Sequence, residues 1–352
     1  MTTDDEFGTI QELAQLVDEA YDEQRWDDVI RHSDQLTGHL EGNALRSLLQ
    51  LRGHAFEHKG EHARARQCYE AVLKLPADES TGDTWYALGN AYCESGDHDK
   101  ALESYSKALD TPGFTQPGMA LENMGVALFR KGGYAAAIEH FQRALDTPGC
   151  EGAGSLWCAM GDAHAELGEI AAAIECYETA AAAPGYADRG TACFNLGHTL
   201  NKAGDYDRAI ESCHKALEAG YDSPGRAWQN MGISYGRKGD LHKAIDCYRE
   251  ALRAPGCDNA GTVWFNMGAC HLEQGDYDQA IECNLKALDT PGFQHETDAW
   301  NNLGTCYHRK GNLAKTKECY AKADGDTNAK TNPSPAPGIL SRIISTLRNW
   351  LR

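Results

Sequence analysis

The sequence predicts an all-α fold, a solenoid of stacked helix-turn-helix pairs, and three regularities predict it. Leu-Gly or Met-Gly recurs with its glycine at Gly89, Gly125, Gly161, Gly197, Gly232, Gly268 and Gly304, and Gly53 opens the series; the interval is 36 residues, with one of 35. Seven residues beyond each stands a second glycine, from Gly60 and Gly96 through Gly132, Gly168, Gly204, Gly239 and Gly275 to Gly311. Twelve residues after the first glycine comes alanine in seven of eight units, and seven residues later alanine again in seven, as in Ala101/Ala108, Ala137/Ala144 and Ala244/Ala251. A supersecondary unit repeated at this period buries its apolar face only by stacking on its neighbours.

Within each unit the slots have separate physical roles. The second glycine ends a first helix by taking positive φ. The i, i+7 alanines lie on one face of a second helix, where small side chains let a neighbouring backbone come close. Tyr69, Tyr105, Phe141, Tyr177, Tyr248 and Tyr320 stand between those alanines. Trp85, Trp157, Trp228, Trp264 and Trp300 stand four residues before the first glycine. These large groups fill what the small ones leave open. Pro112-Gly113, Pro148-Gly149, Pro184-Gly185, Pro255-Gly256 and Pro291-Gly292 mark turns between units.

Eight units occupy residues 39–323. Upstream, Gln24–Leu36 follows the second-helix pattern and Val17 stands where a first glycine is expected, so residues 1–38 read as a degenerate capping hairpin. After Ala323 the pattern stops. Residues 324–338 hold three prolines and no large apolar side chain, an extended linker. In residues 339–352, Ile339, Leu340, Ile343, Ile344, Leu347, Trp350 and Leu351 fall within about 140° of arc at 100° per residue, with Arg342, Arg348 and Arg352 opposite: an amphipathic basic helix.

Composition excludes several functions. Lys and Arg number 33 against 52 Asp and Glu, a net charge of −19, which opposes phosphate backbones, so nucleic acid is not expected as a partner. The 13 cysteines form no CxxC pair and follow no secretory leader, and Cys68, Cys176, Cys247, Cys283 and Cys319 share one packing slot. Reduced thiols in a cytoplasmic protein are expected. No apolar run approaches the ~20 residues that cross a bilayer.

The segment WYALGNAYCESGDHDKALESYSKALDTPG, from Trp85 to Gly113, resembles the tetratricopeptide family pattern of Trp, Leu-Gly, Tyr, Ala, Phe or Tyr, Ala and Pro. Two residues more than that family's usual period of ~34 fall at the Pro-Gly turns. The related Sel1-type repeat lengthens the loop inside each hairpin, whereas Ser95–Ala101 is short. The resemblance implies a right-handed superhelix whose first helices line a concave groove that takes peptides or partner helices.

Asn123, Asn195, Asn230, Asn266 and Asn302 stand immediately before the Leu-Gly or Met-Gly pairs, on one line of first helices. Side-chain amides donate to and accept from peptide backbone. The row is similar to the asparagine ladder of the tetratricopeptide superhelix in O-linked N-acetylglucosamine transferase, broken here at Ala87 and Ala159. Arg130, Lys202, Arg237 and Arg309 alternate with Glu94, Glu166 and Glu273 further along the same helices, so the expected groove carries both signs. The family's carboxylate clamp needs cations early in these helices, where Asp83, Tyr86, Glu122 and Phe194 stand instead.

No nucleophile, triad or phosphate-loop pattern occurs, and His54, His58 and His62 complete no metal signature, so neither enzyme activity nor a cofactor or metal is expected. The expected function is a protein-interaction scaffold that binds a peptide or partner protein. The alternative is a self-assembling structural protein, a homo-oligomer peripherally attached to a membrane through its tail helix. Three readings of that helix stand open: membrane anchor, helix docking in a partner's or its own groove, or cap on the last repeat.

Overall fold

The computed structural model describes residues 3–150 and 152–325. Among them are eighteen α-helices and no strand, arranged as nine hairpins. The chain divides into two compact units, Met1–Tyr186 and Ala187–Arg352. The first contains α1 (Thr3–Asp22), α2 (Trp26–Leu36), α3 (Gly42–His58), α4 (His62–Val72), α5 (Thr81–Glu94), α6 (His98–Asp110), α7 (Pro117–Arg130), α8 (Tyr134–Leu145), α9 (Ala153–Glu166) and α10 (Ile170–Ala182). The second contains α11 (Arg189–Ala203), α12 (Tyr206–Glu218), α13 (Pro224–Arg237), α14 (Leu241–Arg253), α15 (Ala260–Gln274), α16 (Tyr277–Leu288), α17 (Glu296–Arg309) and α18 (Leu313–Ala323). Hairpins stack in chain order within each unit, so the fold class is that of an all-α solenoid.

Eight of the nine hairpin turns contain a positive-φ glycine, and Gln24 takes that conformation in the first. The second glycine takes positive φ, 80° at Gly96 and 83° at Gly204, a conformation that disfavours side chains with a Cβ. In five hairpins the residue after it caps the second helix: Asp97, Asp205, Asp240, Asp276 and Asn312 each accept from the backbone N–H three residues on.

Helices close on each other through glycine and a ring. Tyr105 lies against Gly89, Phe141 against Gly125, Tyr177 against Gly161 and Tyr248 against Gly232. The neighbouring alanines Ala101, Ala108, Ala244 and Ala251 have no exposed surface, so each ring is sealed between small residues. Two hairpins depart from this: Cys213 lies against Gly197, and Asn284 against Gly268.

A second glycine series packs against the turns between hairpins. Gly82, Gly154, Gly190 and Gly261 open first helices, and onto them pack Phe114, Tyr186, Tyr221 and Phe293 from the following inter-hairpin turn. The residue after Pro-Gly is thereby folded back onto its own hairpin, as is Tyr221 after Ala219-Gly220. Trp85, Trp264 and Trp300 each lie under a lysine from the partner helix, Lys107, Lys286 and Lys322, at 4.4 Å. Between hairpins, Lys59 pairs with Asp27, Lys131 with Asp99, Lys238 with Asp207 and Lys310 with Asp278.

Candidate functional site

First helices of successive hairpins touch one another: α5 with α7 and α7 with α9 in the first unit, and α11 with α13, α13 with α15 and α15 with α17 in the second. Their outward sides form a continuous face within each unit, and the five asparagines lie on these helices.

In the first unit Asn123 is half-buried, and its amide is engaged across the hairpins. It donates to Asn90 Oδ1 at 2.9 Å and to the Tyr86 hydroxyl at 3.1 Å, while the Tyr105 hydroxyl donates to the same Asn90 oxygen at 2.8 Å. Arg130 is exposed at the end of α7, 3.4 Å from Glu94 on α5. This face is acidic. The Tyr69 hydroxyl donates to Glu57 at 2.8 Å and the Tyr177 hydroxyl to Asp162 at 2.6 Å. Burial pushes the Glu57 carboxyl up to about 7, against the opposing effect of the Tyr69 hydroxyl. Burial also raises Glu122 and Asp162.

In the second unit Asn195, Asn266 and Asn302 are half-buried on α11, α15 and α17. Asn302 lies 3.4 Å from Asn284 Oδ1, the residue that replaces the ring in that hairpin. Asn230 departs from the expected groove-lining environment. Only 5% of its surface is exposed, its oxygen accepts from Asn201 at 3.0 Å, and its amide nitrogen points at Cys213 Sγ, 3.7 Å away. The Ser234 hydroxyl closes the network by donating to Asn201 at 2.7 Å. Lys202 and Arg309 are exposed at the C-terminal ends of α11 and α17, and Arg237 is half-buried at the end of α13.

The sequence reading missed the polar partner that sits beside three of the ring tyrosines. Asn90, Asp162 and Thr305 each follow a first glycine and meet the hydroxyl of Tyr105, Tyr177 and Tyr320. Phe141 has no hydroxyl, and Val126 holds the equivalent place in its hairpin. Tyr69 and Tyr248 depart from this pairing: the Tyr69 hydroxyl meets Glu57 rather than His54, and Ile233 stands beside Tyr248.

Ile339, Leu340, Ile343, Ile344, Leu347, Trp350 and Leu351 lie outside the described residues, as does most of the linker. Among the described residues no helix is long and apolar enough to cross a membrane, and no group of three or more His, Cys, Asp or Glu is placed to hold a metal ion. His54 instead faces the Tyr21 hydroxyl at 3.3 Å, and His58 stacks on Trp26 with centroids 4.3 Å apart.

Family models described as tetratricopeptide repeat match residues 47–79, 82–111, 154–183, 189–255, 262–290 and 297–325, together well over half of the chain. No curated protein matches the sequence. Among solved structures, a tetratricopeptide repeat protein from Parabacteroides merdae is 16% identical, with a TM-score of 0.52 over 78% of this chain and 100% of that one. The C-terminal part of a repeat-containing protein from Cytophaga hutchinsonii is 14% identical, with a TM-score of 0.57 over 70% of this chain and 97% of that one. These likenesses agree with the hairpin stacking. From its repeat period, its glycine–ring contacts and the matches along its length, the chain belongs to the tetratricopeptide repeat family, whose members generally serve as protein-interaction scaffolds.

Proposed function

We propose that the chain is a scaffold that holds an extended peptide segment of a partner protein against the first-helix face of its second unit. The observation that supports this is the recurrence of Asn195, Asn266 and Asn302, half-buried at equivalent places on first helices that adjoin one another through α13. An amide in that position both donates and accepts, which suits peptide main chain whatever its side chains. Lys202, Arg237 and Arg309, at equivalent places on α11, α13 and α17, add charge readout at one end of the face.

In the first unit the corresponding amide, Asn123, donates to Asn90 and Tyr86, as Asn302 donates to Asn284 in the second. The test is affinity capture from native extract with the full chain and with the Asn195→Ala/Asn266→Ala/Asn302→Ala variant, both checked for the same thermal unfolding. Loss of specific partners from the variant is expected. Identical capture by both proteins would remove the amide face from the mechanism.

A further inference from the structure

Helices α11 and α13 are the only two of the eighteen described helices that contain no Asp or Glu, in a chain whose net charge is −19. They are first helices of adjacent hairpins and touch directly. His198 and Lys202 stand one turn apart on α11, and Arg226 and Arg237 stand on α13. Lys202 and Arg237 occupy equivalent places in the two hairpins, each five residues beyond its first glycine.

Arg226 is held by stacking. The Arg226 guanidinium lies 5.0 Å over the ring of Phe194, and that ring stacks on Tyr221 with centroids 4.6 Å apart and planes 12° apart. Stacking fixes a planar guanidinium with less loss of freedom on binding than a free lysine would suffer. Neither Lys202 nor Arg226 forms an ion pair among the described residues. Both act electrostatically on His198, whose pKa is lowered first by burial and then by these two charges. Beside them, Asn201, Asn230 and Ser234 bond to one another and carry no charge. Asp188 and Asp222 act on Tyr221 by the start of the helices, and the neighbouring α12 and α15 carry Asp207, Glu211, Glu218 and Glu273. The first unit differs in sign: there Arg130 lies beside Glu94, and Glu57, Glu122 and Asp162 stand on the first helices.

We propose that the α11–α13 face binds an acidic peptide segment of a partner protein, with peptide carboxylates meeting Lys202 and Arg226 and main chain running past Asn195. The inference rests on the scaffold reading above and gives the partner its chemistry. Exposed charge pairs are individually weak, so these two discriminate between peptides without making a tight complex alone. At physiological ionic strength the screening length is about 8 Å, which confines the repulsion of the distant carboxylates and leaves the local cations in control.

The experiment is fluorescence anisotropy of the full chain with three labelled twelve-residue peptides, one with glutamate at alternate positions, one with glutamine and one with lysine in their place. The glutamate peptide is expected to bind at least tenfold more tightly than the other two. Lys202→Glu/Arg226→Glu should weaken that binding tenfold or more. Arg249→Glu/Arg253→Glu on α14, which changes the net charge by the same amount elsewhere, should leave it within twofold. Equal binding of the glutamine or lysine peptide, equal loss in both variants, or no binding of the glutamate peptide would overturn the inference. If partner capture nevertheless still depended on the asparagine face, the scaffold reading would stand without the acidic preference; loss of both would remove the two together.

Discussion

A Cβ atom placed on Gly89 would sit 2.5 Å from Cε1 of Tyr105, closer than carbon atoms approach. The glycine is therefore required by the ring opposite it, although a glycine inside a helix is less favourable than alanine by about 1 kcal/mol. Gly89→Ala should gain that propensity and lose more to overpacking, for a net destabilisation of about 1–2 kcal/mol. Denaturant melts of Gly89→Ala and Gly89→Ala/Tyr105→Leu check this, with the second change expected to relieve part of the loss.

Asn90 accepts from both Tyr105 and Asn123, so Asn90→Leu leaves a largely buried hydroxyl without its acceptor. A loss of about 1–3 kcal/mol is expected. A double-mutant cycle between Asn90 and Asn123 should give a coupling of about 1 kcal/mol. Zero coupling would mean that Asn123 is free for another role.

The Glu57 carboxyl is raised by burial to about 7 from an ordinary 4.5. The folded state then holds this proton more tightly than the unfolded state. The contribution of Glu57 to stability falls as pH rises from about 4.5 to 7 and stays reduced above that. Glu57→Gln should remove this dependence and melt above the parent protein at pH 8, by on the order of 1–2 kcal/mol. Equal slopes of stability against pH in the two proteins would refute the assignment.

Phe293, 9% exposed, closes the turn after α16 by packing on Gly261 and Phe265. Phe293→Ala should destabilise its hairpin by about 3 kcal/mol, and Phe293→Leu by much less. Because hairpins in a repeat array respond to their nearest neighbours, faster amide hydrogen exchange should concentrate in α15, α16 and α17.

The hairpin period, the positive-φ glycines and the glycine–ring pairs were legible in the sequence because each depends on residues at fixed separations inside one unit. The second glycine series was less visible. Its partners are as different as Phe114, Tyr186 and Tyr221, and what they share is a position after a turn. The asparagines were legible as a row, but their exposure was not. Whether an amide such as Asn230 meets solvent depends on Asn201 and Cys213 on other helices, and the row itself contains neither. The division after Tyr186 leaves the 36-residue interval from Gly161 to Gly197 intact, so spacing gave no sign of it.

The ties between hairpins span nearly constant distances along the chain: 32 residues for Lys59–Asp27, Lys131–Asp99 and Lys310–Asp278, and 31 for Lys238–Asp207. Each lysine needs only the aspartate of whichever hairpin precedes it. The lysines stand at the C-terminal ends of α3, α7, α13 and α17 and the aspartates on α2, α6, α12 and α16, so a tandem duplication or excision recreates a pairing only where it sets a lysine-bearing hairpin directly after an aspartate-bearing one. Unequal recombination can therefore change the number of hairpins and keep such a tie at the new junction in blocks that begin on a lysine-bearing hairpin and end on an aspartate-bearing one, as α3 to α6 do.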